Sequence, residues 1–342
     1  MGKMMKILDA PGIAGLHFRH ARGERDADAL QAVHLGRMAH DRLTPLSLSE
    51  SLPSRDRLQE ALSQAAAQDH LDRWLVAQMD DLVVGYSQIV SWPEGDGTWV
   101  YLTLGWVLPE WRGKGIGTAM LHWTEDRIRR LAAAEHPGDK IELAANASST
   151  ETEATALLLH EGYRAVYTVL DMALDASTAV PVHPLPAGVE VRPVLPEHYP
   201  LVAASIHESY QHEYDDGRFN EDYSADINLA RLRDPIHDPA LWQVAWDGDQ
   251  IAGQVVPLVE NGAAEIFEVS VRPAWRRRGL ARGLLSLALY SLRARGINII
   301  RLRTSKEFRT RAKDLYHSVG FRVVKEFPRY RKSPVQSGVS TP

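Results

Sequence analysis

The pattern Pro-x-Trp-Arg-x-x-Gly-x-(Gly/Ala) occurs twice in this chain, as PEWRGKGIG over 109–117 and as PAWRRRGLA over 273–281, 164 residues apart. No single motif constrains the fold as much, because a second copy of a turn implies a second copy of the scaffold around it. Other matches keep the same order. WLVAQMDDLVVG (74–85) aligns with WQVAWDGDQIAG (242–253), pairing Trp74 with Trp242, Val76 with Val244, Ala77 with Ala245, Asp81 with Asp249 and Gly85 with Gly253. LHFRHA (16–21) corresponds to VEVRPV (189–194), and HEGYRAV (160–166) to SVGFRVV (318–324). The chain is a duplicated domain, and its 342 residues suit two domains at about 150 residues each.

Each half reads as a strand, helices, a β-hairpin, a strand running into the glycine motif, a long helix, a strand, a helix and a last strand. That order is α/β on a mixed sheet. In the second half the strand covers 264–271 and the long helix runs from about 278 to 295. INIIRLRT then reads as a buried strand and EFRTRAKDLYHSV as an amphipathic helix. The Pro-rich stretch DASTAVPVHPLPAG (175–188) reads as a linker between an N-terminal domain, 1–174, and a C-terminal domain, 189–332. The tail, 333–342, reads as disordered.

Composition narrows the partners. A formal net charge of −5 argues against nucleic acid, despite the local RRRGLAR run. The absence of cysteine removes disulfides, thiol nucleophiles and Cys-based metal sites. His40, His207 and His212 are scattered without metal-ligand spacing, so no metal is expected. The start is too interrupted by Pro and Gly for a secretory segment, and no apolar run approaches a membrane span. A cytoplasmic monomer or homodimer is the expectation.

The repeated motif has a physical reading of its own. A diphosphate needs several donors in a small arc, and a helix N-terminus supplies free N–H groups and a favourable dipole end. Gly115 and Gly279 allow close approach of the backbone, and Arg112, Lys114, Arg276, Arg277, Arg278 and Arg282 can add positive charge. A P-loop would need GxxxxGK(S/T), which is absent, and a dinucleotide fingerprint needs GxGxxG in a parallel βαβ unit. The bland alternative is a tight strand-to-helix turn with a basic rim.

In both copies, the (Gln/Arg)-x-x-Gly-x-(Gly/Ala) pattern between a strand and a long helix resembles the acyl-CoA pyrophosphate loop of the GNAT N-acetyltransferases. The tandem arrangement is similar to that of mycothiol synthases, among other bacterial acetyltransferases. The resemblance implies two mixed, mostly antiparallel twisted sheets flanked by helices, with acetyl-CoA as co-substrate and a small-molecule amine as acceptor. It implies that Val269, Ser270, Val271, Arg276, Arg277, Arg278, Gly279, Leu280, Ala281 and Arg282 hold acetyl-CoA. Val107, Arg112, Gly113, Lys114, Gly115, Ile116, Gly117 and Thr118 would do so in the first half.

It also implies roles for the chemistry. Family members place a Glu base eleven residues before the motif's first Gln/Arg, which here is Glu265, against Tyr101 in the first half. Glu268 is its rival, and strand alternation puts the two on opposite faces. The family's A-x-x-L-Y-x-x-x-G-F helix is matched from Ala312 to Phe321, making Tyr316 the acid that protonates the leaving thiolate. The first half has Leu158 in that position. An Asn that usually precedes this helix is replaced by Arg309. Chemistry is therefore expected in the C-terminal half, with the N-terminal half as a structural partner, a cleft wall or a second nucleotide site. The stretch HESYQHEYDDGRFNEDY (207–223) falls where the family covers its acceptor, and its Tyr210, Glu213 and Tyr214 would suit a cationic amine. The other readings are a protein N-acetyltransferase and a CoA-binding sensor without catalysis.

Overall fold

The computed structural model describes residues 5–44, 46–50, 52–211, 224–307 and 311–334. One order of elements appears twice. The first half runs β1 (Leu16–His20), α1 (Ala27–Arg37), α2 (Arg55–Ala67), β2 (Trp74–Met79), β3 (Leu82–Pro93), β4 (Trp99–Val107), α3 (Ile116–Glu135), β5 (Ile141–Asn146), α4 (Thr152–His160) and β6 (Arg164–Leu174). The second runs β7 (Glu190–Val191), α5 (Tyr199–Tyr210), α6 (Ala225–Leu232), β8 (Gln243–Asp247), β9 (Gln250–Glu260), β10 (Ala263–Val271), α7 (Leu280–Ala294), β11 (Ile299–Ser305), α8 (Ala312–Ser318) and β12 (Arg322–Lys332). Even the caps repeat: α2 and α6 both start at a Ser, Ser54 or Ser224, whose hydroxyl accepts from the backbone N–H three residues on.

The two expected sheets are one. The described strands join in the order β1-β2-β3-β4-β5-β12-β6-β11-β10-β9-β8-β7. Only β4–β5 and β10–β11 are parallel. The last strand of each half has crossed over: β12 pairs with β5 of the first half, and β6 with β11 of the second. The exchange joins the two halves into one continuous ladder in which β5 and β11 both have a partner on the side facing the other half. The cores record the crossover. Leu170, Met172 and Leu174 of β6 are buried with the second half's residues, and Tyr330 of β12 is buried with Tyr101, Leu143 and Leu158 of the first.

Helices cover both faces. On β9 and β10, α5 and α7 both pack without packing on each other, so they lie on opposite sides of the sheet. The segment 175–188 is laid along α7, where Ser286 and Tyr290 donate to the carbonyls of Pro181 and Val180 at 2.8 Å each.

The first half also docks on the two exchanged strands, β6 and β12. Its segment Ser47–Ser49 wraps the buried Asp171 carboxylate of β6, with Leu48 N at 2.6 Å, Ser49 N at 2.8 Å, Ser49 Oγ at 2.5 Å, and the Ser47 hydroxyl. Next to it Lys325 of β12 is buried, ion-paired with Glu50 and donating to the carbonyls of Asp41 and Arg42. Asp171 is the register partner of Arg303 on β11, which places this docking one strand from β10.

Candidate active site

The two glycine loops fold alike. Each follows a single 3-10 turn, Pro109–Trp111 or Pro273–Trp275, and each turns into its helix through a glycine in the left-handed region, Gly115 at φ 83° and Gly279 at φ 85°. Two residues earlier, Gly113 (φ 67°) and Arg277 (φ 63°) take the same conformation, which a side chain rarely adopts. The first backbone bonds of the helices are Ala119 N to Gly115 O and Gly283 N to Gly279 O. The amides of Ile116, Gly117 and Thr118, and of Leu280, Ala281 and Arg282, therefore have no intrahelical acceptor. Ile116 and Leu280 bury their side chains and offer only backbone.

The leading arginines do a different job from the one expected. Arg112 donates from Nε to Val107 O (2.9 Å) and through both terminal nitrogens to Asp41 (2.6 and 2.8 Å). Arg276 donates from Nε to Val271 O (3.0 Å) and from Nη2 to Ser209 O (2.5 Å). Both guanidiniums tie the loop to the preceding strand and to the chain near the end of the first helix of its half. Burial of Asp41 opposes its ionisation, but bonds and charge from Arg112 and Arg37 outweigh this and hold its carboxyl below the usual range. Exposed positive charge at the loops comes from Lys114, Arg277, Arg278 and Arg282. Lys114 lies over the Trp111 ring at 4.7 Å.

Beside each loop two strands part. β10 pairs with β11 only from Ala263 to Glu265, although it continues to Val271, and β4 pairs with β5 only from Trp99 to Thr103, although it continues to Val107. Among the described residues the edges of Val269, Ser270 and Val271 on that side have no ladder partner, while their other edge pairs with β9. The glycines shared by the hairpins explain the closeness of this end. A Cβ at Gly253 would stand 2.7 Å from Ser270 O, and one at Gly85 2.7 Å from Trp106 O.

In the first half the parting opens a groove of about 480 Å³, lined among others by Val107, Gly113, Gly115, Gly117, Thr118 and Leu158. Among the described residues, the two positions expected to hold the base and the acid carry Tyr101 and Leu158, while Glu151 and Glu153 at the start of α4 also line the groove. Tyr101 is fully buried in the core; burial, with Glu135 3.4 Å from its hydroxyl, pushes its phenol up to about 12.

In the second half β10 differs from β4 in one respect. β4 pairs with β3 without interruption, whereas β10 carries a bulge at Phe267 against β9. Glu265 stands opposite Leu258 and Glu268 opposite Val256, so both carboxyls project from the same face. This corrects the expectation of opposite faces. Two consecutive apolar residues, Ile266 and Phe267, break the alternation of AEIFEVSV and were the available signal. Both Glu residues line a cavity of about 330 Å³ with Ile206, Asn228, Arg231, Leu232, Ile266, Phe267 and Arg303.

The two carboxyls differ in environment. Glu265 is partly exposed and bonded to Arg303 Nη2 at 3.1 Å. Glu268 is buried, and burial pushes its carboxyl up to about 7 against the opposing hydrogen bonds of Ser270 and Tyr210 and the charge of Arg231. Tyr210 OH donates to Glu268 Oε1 at 3.1 Å and approaches Val269 O at 3.4 Å. Behind them Ser205 donates to Gln254 (2.8 Å), which donates to Ser270, fixing the Ser270 hydroxyl.

Tyr316 is buried on α8, packed edge-on against Phe321 (centroids 6.2 Å apart), and is not among the residues lining this cavity. Glu213, Tyr214 and Arg309 lie outside the described residues. Among the described residues no cluster of His, Asp or Glu could hold a metal ion, and no helix is long and apolar enough to cross a membrane.

Paired glycine loops on helix N-termini, each beside a parted pair of parallel strands, stand in both halves, and the sequence comparison gives the family that has them. The acetyltransferase (GNAT) family matches twice, over residues 39–144 and 203–321, and this chain belongs to that family, as a tandem N-acetyltransferase. It is 30% identical over 310 residues to a mycothiol acetyltransferase of Cellulomonas flavigena, spanning 86% of this chain and 82% of that one. It is 31% identical over 285 residues to the mycothiol acetyltransferase of Kineococcus radiotolerans, spanning 81% and 86%. Among solved structures, a GCN5-related N-acetyltransferase from Sphaerobacter thermophilus shares the fold with a TM-score of 0.73 at 22% identity, over 96% of this chain and 98% of that one. A tandem GNAT protein from the clavulanic acid biosynthesis pathway does so with a TM-score of 0.59 at 15% identity, over 94% and 100%.

Proposed function

We propose that this protein transfers the acetyl group of acetyl-CoA to the primary amine of a small molecule, and that the chemistry takes place in the C-terminal half. The observation that carries this reading is Glu268, a buried carboxyl raised to about 7, facing a cavity at the parting of β10 and β11. A general base works best when its pKa lies near the operating pH. Glu268 takes the proton of the attacking amine, and Glu265, held by Arg303, draws the ammonium form in. The amine nitrogen bonds to the thioester carbon, and an amide N–H of β10 near Ser270 or Val271 receives the developing oxyanion. The C–S bond then breaks and Tyr316 gives its proton to the thiolate, leaving an amide and free CoA.

The diphosphate of acetyl-CoA rests on the amides of 279–282, with Arg277, Arg278 and Arg282 around it. The groove of the first half fits a second CoA in the same way on the amides of 115–118. With Tyr101 in the core and Leu158 lining the groove, it binds without turnover. The protein functions in the cytoplasm. A second reading of the acceptor rests on the relatives at 30% and 31% identity: the acceptor of the mycothiol acetyltransferases. The test is CoA release by purified protein with acetyl-CoA and an amine library that includes that acceptor. Absence of amine-dependent release across the library refutes the reading.

A further inference from the structure

The two halves differ where their parallel strands begin to part. β4 leaves β5 after Thr103, so Thr103 stands at the inner end of the first groove, away from the loop at 113–118. On β3, Ser87 pairs with Gly105 and Ile89 with Thr103. The same steps from the repeated glycine, Gly85 or Gly253, pair Val255 with Val269 and Pro257 with Ile266. Ser87, Gly105 and Thr103 therefore stand where the second half carries Val255, Val269 and Ile266. Directly opposed residues, and residues two apart on one strand, point to the same side of a sheet, so each trio shares a face. The inner end of the first groove is polar and lacks one side chain, whereas its counterpart is aliphatic at all three positions.

Ser87, Thr103 and Gly105 all line the first groove, together with Asn146 at the end of β5. Ser87 and Thr103 are 1% and 7% exposed, and among the described residues neither hydroxyl has a hydrogen-bond partner. The side-chain oxygen of Asn146 has none either. Buried polar atoms are nearly always partnered, so three unmatched oxygens along one groove mark a place for a polar group. There is also width. A Cβ at Gly105 would lie 3.7 Å from Ser87 Cβ and 4.0 Å from Tyr86 O, so the packing leaves room for a side chain there. Charge is a different matter. Among the described lining residues the one cation, Arg112, has both terminal nitrogens on Asp41, and an anionic group would find no cation of its own.

We infer that the first-half groove receives a CoA thioester whose short acyl group carries a neutral oxygen of its own, a hydroxyl or a keto group, and that Ser87, Thr103 and Asn146 bond to it. With the diphosphate on the amides of 116–118, the acyl end of the molecule points along β4 toward Thr103. Gly105 leaves width there for a chain longer than acetyl. The two hydroxyls can donate or accept, and the Asn146 oxygen accepts, so a hydroxyl and a keto group both find partners. In the second half, Val255, Val269 and Ile266 offer no such partner and suit a methyl group. The inference rests on the reading of the first half as a second CoA site, and it names the acyl group that this site selects.

The test is calorimetric titration of the full-length protein with butyryl-, 3-hydroxybutyryl-, acetoacetyl- and succinyl-CoA. Gly279→Val protein reads the first groove alone, Gly115→Val protein reads the second, and wild type fitted to two sites gives the same ratios without a substitution. At the first groove, 3-hydroxybutyryl- or acetoacetyl-CoA is expected to bind about tenfold or more tighter than butyryl-CoA, the gain of one or two buried hydrogen bonds. Succinyl-CoA is expected to bind no tighter than butyryl-CoA. Adding Ser87→Ala and Thr103→Val together is expected to bring the preference to within about threefold, and Gly105→Val to weaken both oxygenated thioesters by about tenfold. At the second groove the preference is expected to stay within about threefold. Equal affinities for butyryl-CoA and both oxygenated thioesters, a preference that survives loss of both hydroxyls, the same preference at the second groove, or tightest binding of succinyl-CoA overturns the inference while leaving the second CoA site intact. A single site that Gly279→Val abolishes overturns the reading of the first half as a CoA site, and the inference with it.

Discussion

Replacing Glu268 by Gln separates the catalytic from the structural consequences of one buried carboxyl. Its pKa is raised from 4.5 to about 7 in the folded protein. A carboxyl raised in this way binds its proton more tightly when folded than when unfolded. Its contribution therefore favours the fold below about 4.5, declines as the pH rises, and reaches its full cost above 7. Integrated between pH 5 and pH 8, the cost amounts to about 2.5 kcal/mol. The amide introduced by Glu268→Gln does not titrate, so the stability of the variant relative to wild type is expected to improve by about that amount across the interval, whatever fixed offset the amide introduces. Urea unfolding followed by tryptophan fluorescence at both pH values measures it. In the same samples, wild-type kcat/KM is expected to rise with pH up to about 7 and then level. The variant loses about a hundredfold or more. An unchanged stability difference between pH 5 and pH 8, or a wild-type rate already level at pH 5, would refute the assignment.

Three further substitutions have definite expected outcomes. Tyr316→Phe is expected to lower kcat by about tenfold or more with little change in KM for acetyl-CoA, measured by steady-state CoA release. Asp171→Asn places an amide NH2 among four donors from Ser47, Leu48 and Ser49; a loss of about 2–3 kcal/mol in chemical unfolding is expected, since the carboxylate is buried. Gly253→Ala puts a Cβ 2.7 Å from the Ser270 carbonyl, so β10 must shift at the end that leads into the loop. Its kcat/KM is expected to fall while Gly85→Ala in the first half leaves turnover within about threefold.

Much of this arrangement could be read from the residues. The offset matches fixed the duplicated order of elements, and both glycine loops stand where a strand runs into a helix, with Gly115 and Gly279 in the left-handed region their pattern demands. Other features depend on contacts that no local pattern encodes. The exchange of β6 and β12 leaves each strand's alternation unchanged, because either neighbour buries the same residues. The bulge at Phe267 moved Glu268 to the face of Glu265, and a one-residue insertion reverses every later side chain of a strand. Arg112 and Arg276 look like phosphate ligands in sequence, but the carbonyls that end β4 and β10 lie within reach of their Nε groups and hold them. Arg231 and Arg303 come from a helix and a strand far apart in the chain, so only the fold brings them to one cavity.

The most direct test of where acetyl transfer occurs uses the same substitution in both copies. Gly115 and Gly279 share φ within a few degrees, and a β-branched residue is strained equally at either. Steady-state kcat/KM for acetyl-CoA is measured for Gly115→Val and Gly279→Val. A fall of about a hundredfold or more is expected for Gly279→Val, with Gly115→Val within about threefold of wild type. The opposite order, or equal losses in both, would contradict the assignment of the chemistry to the C-terminal half.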